Sequence, residues 1–377
     1  MNVWQARIMH ALEERIRTQG YRVRQVAEQN DHCLNFASND YLGLARSLEL
    51  IQAWQKGAEL YGVGSGGSSH VTGYHEPLQQ LEDQLAKWLG YERAIVYSSG
   101  FSANQALIQL LIEKDDWIIA DKLSHASLVE AAMNSEGNFK RFAHNDLDSL
   151  KRLLSKIEHD KAVLTITEGV FSMDGDEAPL QDIQIITQRN QNNWLMVDDA
   201  HGIGIHGKEG KGTCDQYDIH PDILIVTFGK ALGVKGAAIL CSDPVAEYLV
   251  QQSRALIYST AIPPAQAFTL LKSIEIVQKA DEQRQYLQDL ILYFKTELKT
   301  LGIENQSNSP IQPIIIGSNE DSLRVSQVLK EHNIWAMAIR PPTVPANSAR
   351  IRMTLNTNHT QENIDHVIGA LRHAFGG

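Results

Sequence analysis

Ile223-Leu224-Ile225-Val226-Thr227-Phe228-Gly229-Lys230 is the stretch on which the architecture of this chain turns. Four apolar residues and a threonine read as a short strand buried on both faces, and the run halts at a glycine and a lysine. A second run follows the same plan: residues 194–197 are apolar and lead into Asp198-Asp199-Ala200-His201-Gly202. Strands that end in polar side chains belong to an open α/β sheet, where ligands sit beyond the carboxyl ends of the strands.

Further strands of this kind are read at residues 94–97, 117–120, 163–167 and 237–241, and most end in polar groups, among them Ser98-Ser99, Asp121 and Glu168. Helical periodicity separates them, as in Leu78, Leu81, Leu85 and Trp88 with Gly90 as the stop. The alternation predicts an α/β fold with a mostly parallel central sheet flanked by helices. Past residue 262 the pattern changes. Pro263-Pro264 precedes a helix carrying Leu287, Leu290, Ile291, Phe294 and Leu298 with Gly302 at its end. A strand follows at 310–316, and then a last helix with Ile364, Val367, Ile368 and Leu371 behind Thr360 as N-cap. We therefore divide the chain into an N-terminal helical and extended segment (1–44), a large domain (45–265) and a smaller α+β domain (266–377). Trp4, Ile8, Leu12 and Ile16 lie at helical spacing and predict a packed helix at the amino terminus.

Composition narrows the function. The chain has 377 residues, 43% of them hydrophobic and 21% charged, with a formal net charge of −11 and no block of Lys or Arg. Neither a nucleic acid nor an anionic membrane is expected as partner. No apolar run nears the roughly 18 residues that span a bilayer. Glu13 and Glu14 do not suit a transit peptide, so a cytoplasmic protein is expected. Cys33, Cys214 and Cys241 have no paired spacing, and none of the 14 histidines stands in an H-E-x-x-H arrangement, so no metal site is expected.

What the strand ends carry has a chemical meaning when taken together. An amine at Lys230, a carboxylate from one of two adjacent aspartates and an imidazole at His201 are the parts that hold pyridoxal phosphate as a Schiff base. The carboxylate keeps the ring nitrogen protonated, and the imidazole steadies the ring oxygen. A phosphate cradle is read at Ser98-Ser99-Gly100-Phe101-Ser102-Ala103-Asn104, where a strand passes into a helix and the N–H groups of Gly100 and Phe101 are free. Thr227 and Ser172 can add hydroxyls there. The glycine-dense stretch at 62–69 lacks the Lys-Ser/Thr end of a P-loop, and we read it as a tightly turning segment near the site.

These residues also add up to a family resemblance that runs nearly end to end. It is carried by Ser38-Asn39-Asp40-Tyr41-Leu42-Gly43-Leu44, Gly64-Ser65-Gly66-Gly67-Ser68, Ser99-Gly100-Phe101, Leu123-Ser124-His125-Ala126-Ser127, residues 167–176, Val197-Asp198-Asp199-Ala200-His201-Gly202, Gly229-Lys230-Ala231 and Arg340-Pro341-Pro342-Thr343-Val344-Pro345. The chain resembles the α-oxoamine synthases, which are fold-type I pyridoxal-phosphate enzymes. The resemblance implies that Lys230 is the Schiff-base lysine and the base for the Cα proton, that Asp198 is the pyridinium partner, that His201 bonds the phenolic oxygen and that His125 stacks on the ring. It also implies that Arg352 grips the amino-acid carboxylate, with Arg350 two residues away as a rival, and that Asn39 and Thr343 contact substrate. An arginine for the acyl substrate falls at Arg22, among Arg17, Arg22 and Arg24.

The implied reaction is a decarboxylative condensation of an amino acid with an acyl thioester. The motifs lie nearest the branch that joins L-alanine to pimeloyl-CoA or a pimeloyl-carrier protein. Glycine acetyltransferase, 5-aminolevulinate synthase and serine palmitoyltransferase share the scaffold, and a non-catalytic subunit is the reading from another class. The chain departs from the family pattern at Ile203 and in a short stretch before Leu34. The resemblance further implies a homodimer with its site between subunits, in which Tyr258-Ser259-Thr260 reaches the neighbour's cofactor phosphate.

Overall fold

The computed structural model describes residues 2–24, 26 and 33–376. Its centre is a seven-stranded sheet made of β1 (Arg93–Tyr97), β2 (Trp117–Asp121), β3 (Asn138–Phe142), β4 (Val163–Glu168), β5 (Asn193–Asp198), β6 (Ile223–Thr227) and β7 (Ala237–Cys241), in the order β1-β7-β6-β5-β4-β2-β3. Pairs from β3 through β6 are parallel, and β7 runs antiparallel to both neighbours. Successive residues of one strand face opposite layers. Ala94 and Val96 join the core with the helices Leu48–Tyr61, Glu76–Leu89 and Pro264–Gln278, whereas Ile95 and Tyr97 join the core under Gly100–Leu111, Ala126–Met133 and Asp243–Gln252. The result is the three-layer, mostly parallel α/β arrangement expected from strands apolar on both faces.

Strand β3 is absent from the expected set. Its sequence, Asn-Phe-Lys-Arg-Phe, has only Phe142 buried, because it lies at the sheet edge and keeps its charges in solvent. Gly90 closes the helix Glu76–Leu89 in a left-handed conformation, φ 78°, as its position demands.

Residues 311–354 supply an antiparallel sheet of β8 (Ile311–Gly317), β9 (Met337–Ile339) and β10 (Ala349–Thr354), with β10 in the middle. The helices Asp281–Thr300, Asn319–Glu331 and Gln361–Gly376 pack with this part, and Thr360 Oγ1 accepts from Asn363 N at the start of the last one. The strand Leu34–Asn35 pairs in parallel with Ile334–Trp335, so the segment after it is held near β10; Thr354 N donates to Phe36 O.

The amino-terminal helix forms as Val3–Arg17, but its packing does not follow the expectation. It has no buried residue, and Trp4, Ile8 and Ile16 are 72%, 58% and 61% exposed. Asn2 caps it and Glu14 pairs with Arg17, so local chemistry makes the helix while its apolar stripe meets no partner among the described residues. The stretch before Leu34 noted in the sequence falls at residue 25 and residues 27–32, outside the described residues.

Candidate active site

The carboxyl ends of β2, β4, β5 and β6 deliver Asp121, Glu168, Asp198 and, three residues past Thr227, Lys230 to one crevice. Lys230 sits on the turn after β6, where Gly233 N donates to its carbonyl. Burial lowers its ammonium to about 8, although Asp198 and Glu168 pull the other way. A useful fraction of the amine is therefore neutral near physiological pH.

Two adjacent aspartates have different environments. Asp199 is fully buried and takes two hydrogen bonds from Thr213, one from N and one from Oγ1, both 2.7 Å. Three glycines crowd it: a Cβ at Gly169, Gly202 or Gly212 would come within 2.0, 2.1 or 2.0 Å of its carboxylate. Asp199 thus ties loops together. Asp198 instead accepts from Asn104 Nδ2 at 2.9 Å and from Ala200 N at 3.1 Å, and its charge acts on both His125 and Lys230. This asymmetry favours Asp198 as the carboxylate that meets a ligand.

His125 caps the helix Ala126–Met133, bonds Ser127 Oγ through Nδ1 at 2.8 Å and donates its backbone N–H to Glu168. Ser127 Oγ in turn accepts from Asn104 Nδ2, so one hydrogen-bond chain runs from His125 to Asp198. Burial lowers the His125 imidazole and lowers that of His201 well below its ordinary value, so both rings are neutral. Ile203, the departure behind His201, is a core residue only 1% exposed.

Arg350 and Arg352 project from the same face of β10, which is why sequence left them as rivals. Their partners separate them. Arg350 is ion-paired to Asp174. Arg352, 7% exposed, has neutral partners: Nε to Ser172 O at 2.7 Å, Nη1 to Thr354 Oγ1 at 2.9 Å and Nη2 to Asn39 Oδ1 at 3.1 Å. Among the described residues Arg352 makes no ion pair, so a buried cation stands ready for an anion. Its charge reaches Lys230 and His201.

Farther out, Arg22 Nη2 donates to Thr343 Oγ1 at 2.9 Å, which joins two predicted substrate residues 321 positions apart. Arg17 is engaged with Glu14 on its own helix. Arg340, unnoticed as a ligand group in the sequence, bonds Gln19 O, and its ionisation is depressed first by burial and then by the neighbouring Arg22 cation. Two guanidinium groups side by side suit an anionic end group.

The site accepts pyridoxal phosphate on several counts. The helix Gly100–Leu111 starts beside Thr227, and a Cβ at Gly100 would lie 2.7 Å from Thr227 Cγ2, so glycine keeps that helix start open. The Ser99–Ser102 capping pair leaves the N–H groups of Gly100 and Phe101 for an anion. Thr167 Oγ1, Ser124 Oγ and Asn104 Oδ1 are buried without a partner among the described residues. With Ser98, Tyr74, Glu82, Arg93 and Ser259, Thr260 lines a cavity of about 220 Å³, next to the exposed Tyr258.

His144 went unremarked in the sequence, and Asn104, Glu168 and Tyr41 were quoted in motifs or at a strand end without a role of their own. His144 bonds Asp121 through Nδ1 at 2.9 Å and Asp176 through Nε2 at 2.7 Å; burial lowers it, but the two carboxylates prevail and hold it up to about 10. It clamps β2 to the loop that carries Ser172.

Residues 31–371 match the family profile described as aminotransferase class I and II. The 8-amino-7-oxononanoate synthase of Enterobacter sp. (strain 638) is 52% identical over 380 residues, covering 98% of both chains. Among solved structures, the 8-amino-7-oxononanoate synthase of Francisella tularensis is 32% identical with a TM-score of 0.80, over 91% of this chain and 98% of that one. Serine palmitoyltransferase from S. paucimobilis, with bound PLP and myriocin, superposes with a TM-score of 0.92 at 25% identity over 99% and 98% of the two chains. The backbone likeness is shared across the wider family, and the sequence identity singles out one branch. With Lys230, Asp198, His201 and Arg352 in one crevice, the chain belongs to the pyridoxal-phosphate-dependent aminotransferase class I and II family and, within it, to the 8-amino-7-oxononanoate synthases.

Proposed function

We propose that this enzyme condenses L-alanine with a pimeloyl thioester, carried by CoA or a carrier protein, to give 8-amino-7-oxononanoate and carbon dioxide for biotin synthesis. The observation that carries this is Arg352, a buried guanidinium with neutral partners only, in charge contact with Lys230. It fits an amino-acid carboxylate, which it would grip with two N–H groups while Asn39 braces it. Bound at Lys230, pyridoxal phosphate supplies the electron sink that makes a Cα proton removable. The chain's own residues do the rest. Gly100, Phe101, Ser172 and Thr227 would hold the phosphate and ring, Asp198 would keep the ring nitrogen protonated, and His125 would cover its face. Lys230 Nζ, depressed to about 8, takes the proton from Cα and returns it after decarboxylation. Arg22, Thr343 and Arg340 receive the far carboxylate of the acyl chain.

The enzyme acts as a cytoplasmic homodimer. Support comes from the surface around the glycine-rich turn, where Val63, Val71 and Tyr258 are 80%, 79% and 75% exposed and Ser65 Oγ bonds Ala261 O. In that arrangement Thr260 reaches the partner's phosphate site. The test is release of coenzyme A from pimeloyl-CoA with L-alanine, glycine or L-serine, and from acetyl- and palmitoyl-CoA in parallel. Turnover confined to glycine with acetyl-CoA would overturn the substrate assignment, and no turnover with any pair would revive a non-catalytic subunit.

A further inference from the structure

Tyr41 is 0% exposed and lies on the segment between the strand Leu34–Asn35 and the helix Leu48–Tyr61. Its hydroxyl is 2.5 Å from His201 Nδ1 and 3.5 Å from Asn39 Oδ1, the oxygen that Arg352 Nη2 reaches at 3.1 Å. We propose that Tyr41 is a positioning residue for His201: it sets which imidazole nitrogen carries the proton offered to the cofactor's phenolic oxygen, and it ties that proton to the arginine that receives the amino-acid carboxylate.

The direction of the bond follows from charge. Burial pushes the Tyr41 hydroxyl up to about 12, against the pull of the Arg352 cation and its hydrogen bond. The group is a neutral phenol at working pH, under the influence of the Arg352 charge. His201 is held well below its ordinary value by burial and then by Lys230, Arg352 and His125. A neutral imidazole 2.5 Å from a neutral phenol that a nearby guanidinium makes the better donor accepts the phenol proton at Nδ1, which leaves its own N–H on Nε2. The Arg352 charge acts on both Tyr41 and His201, so a carboxylate on Arg352 alters the strength of the Nε2 donor. None of these contacts was visible from residue spacing, since Tyr41 and His201 are 160 positions apart.

The inference rests on the cofactor reading, and the experiment separates the two. Purified enzyme loaded with pyridoxal phosphate is titrated with alkali while the visible absorbance of the cofactor is followed, for the wild type and Tyr41→Phe. A donor aimed at the phenolic oxygen competes with the proton that this oxygen shares with the Lys230 nitrogen. Loss of the donor raises the pH midpoint, by about half a unit or more, and weakens the alanine-induced spectral change several-fold. In a His201→Asn background the same substitution changes neither quantity further. Thermal unfolding of the cofactor-free proteins checks the fold. If Tyr41→Phe does not fold, isosteric 3-fluorotyrosine at position 41 decides: the more acidic phenol strengthens the bond to His201 and lowers the midpoint. An unmoved midpoint, or additive effects of the changes at 41 and 201, overturns the inference. A wild type with no visible band overturns the cofactor reading instead.

Discussion

The crevice at the strand tips and the helix Val3–Arg17 start from equally regular sequence patterns and reach opposite ends. In the crevice, side chains from β2, β4, β5 and β6 share hydrogen bonds and charge. On the helix, Trp4, Ile8, Leu12 and Ile16 form a stripe that covers nothing among the described residues. Periodicity states which face seeks a partner. It does not state whether the partner lies in the same chain.

The crevice should break most severely at its centre. Lys230→Ala removes both the covalent anchor and the proton acceptor, so turnover falls by about a thousandfold or more, measured as coenzyme A release. Arg352→Ala should weaken L-alanine binding roughly 10- to 100-fold, the worth of a lost charge-assisted pair, in a spectral titration. Arg350→Ala, which loses the pair with Asp174 and bonds to the carbonyls of Ser348 and Met173, should leave alanine affinity within about threefold; equal losses for both would return them to rivalry.

His144 offers a test in pH. Its folded-state value, about 10, is above the ordinary 6.5, so its pairs with Asp121 and Asp176 add stability that is complete below pH 6.5 and drains away as pH rises towards 10. His144→Gln should cost about 2 kcal/mol in urea unfolding at pH 6.5, and the gap to the wild type should narrow by pH 10. A gap independent of pH would mean that the clamp is not ionic.

The smallest effect is expected on the helix. Ile8→Gln with Leu12→Gln should shift unfolding of the chain by less than about 0.5 kcal/mol, because no packed surface is lost. A larger loss that grows on dilution would put the stripe between copies, and one that does not would put it on its own chain.

Much of this was legible in the sequence for a physical reason. The strands β1, β2, β4, β5, β6 and β7 are buried on both faces, so apolar runs mark them, and each ends on its polar residue within a few positions. The edge strand β3 carries Lys140 and Arg141 into solvent and left no such mark. Lys230, Asp198 and His201 lie in local motifs. Tyr41, Asn104, Glu168 and His144 acquire meaning only through partners 160, 94, 43 and 32 positions away, as with Tyr41 and His201, Asn104 and Asp198, Glu168 and His125, and His144 and Asp176. The choice between Arg350 and Arg352 needed the position of Asp174, which no spacing on one strand supplies.

Everything at the site depends on one amine holding the cofactor. Enzyme loaded with pyridoxal phosphate, reduced with borohydride, digested and weighed should carry the pyridoxyl mass on the peptide that contains Lys230 and on no other. Label on a different lysine, or on none, would contradict the account.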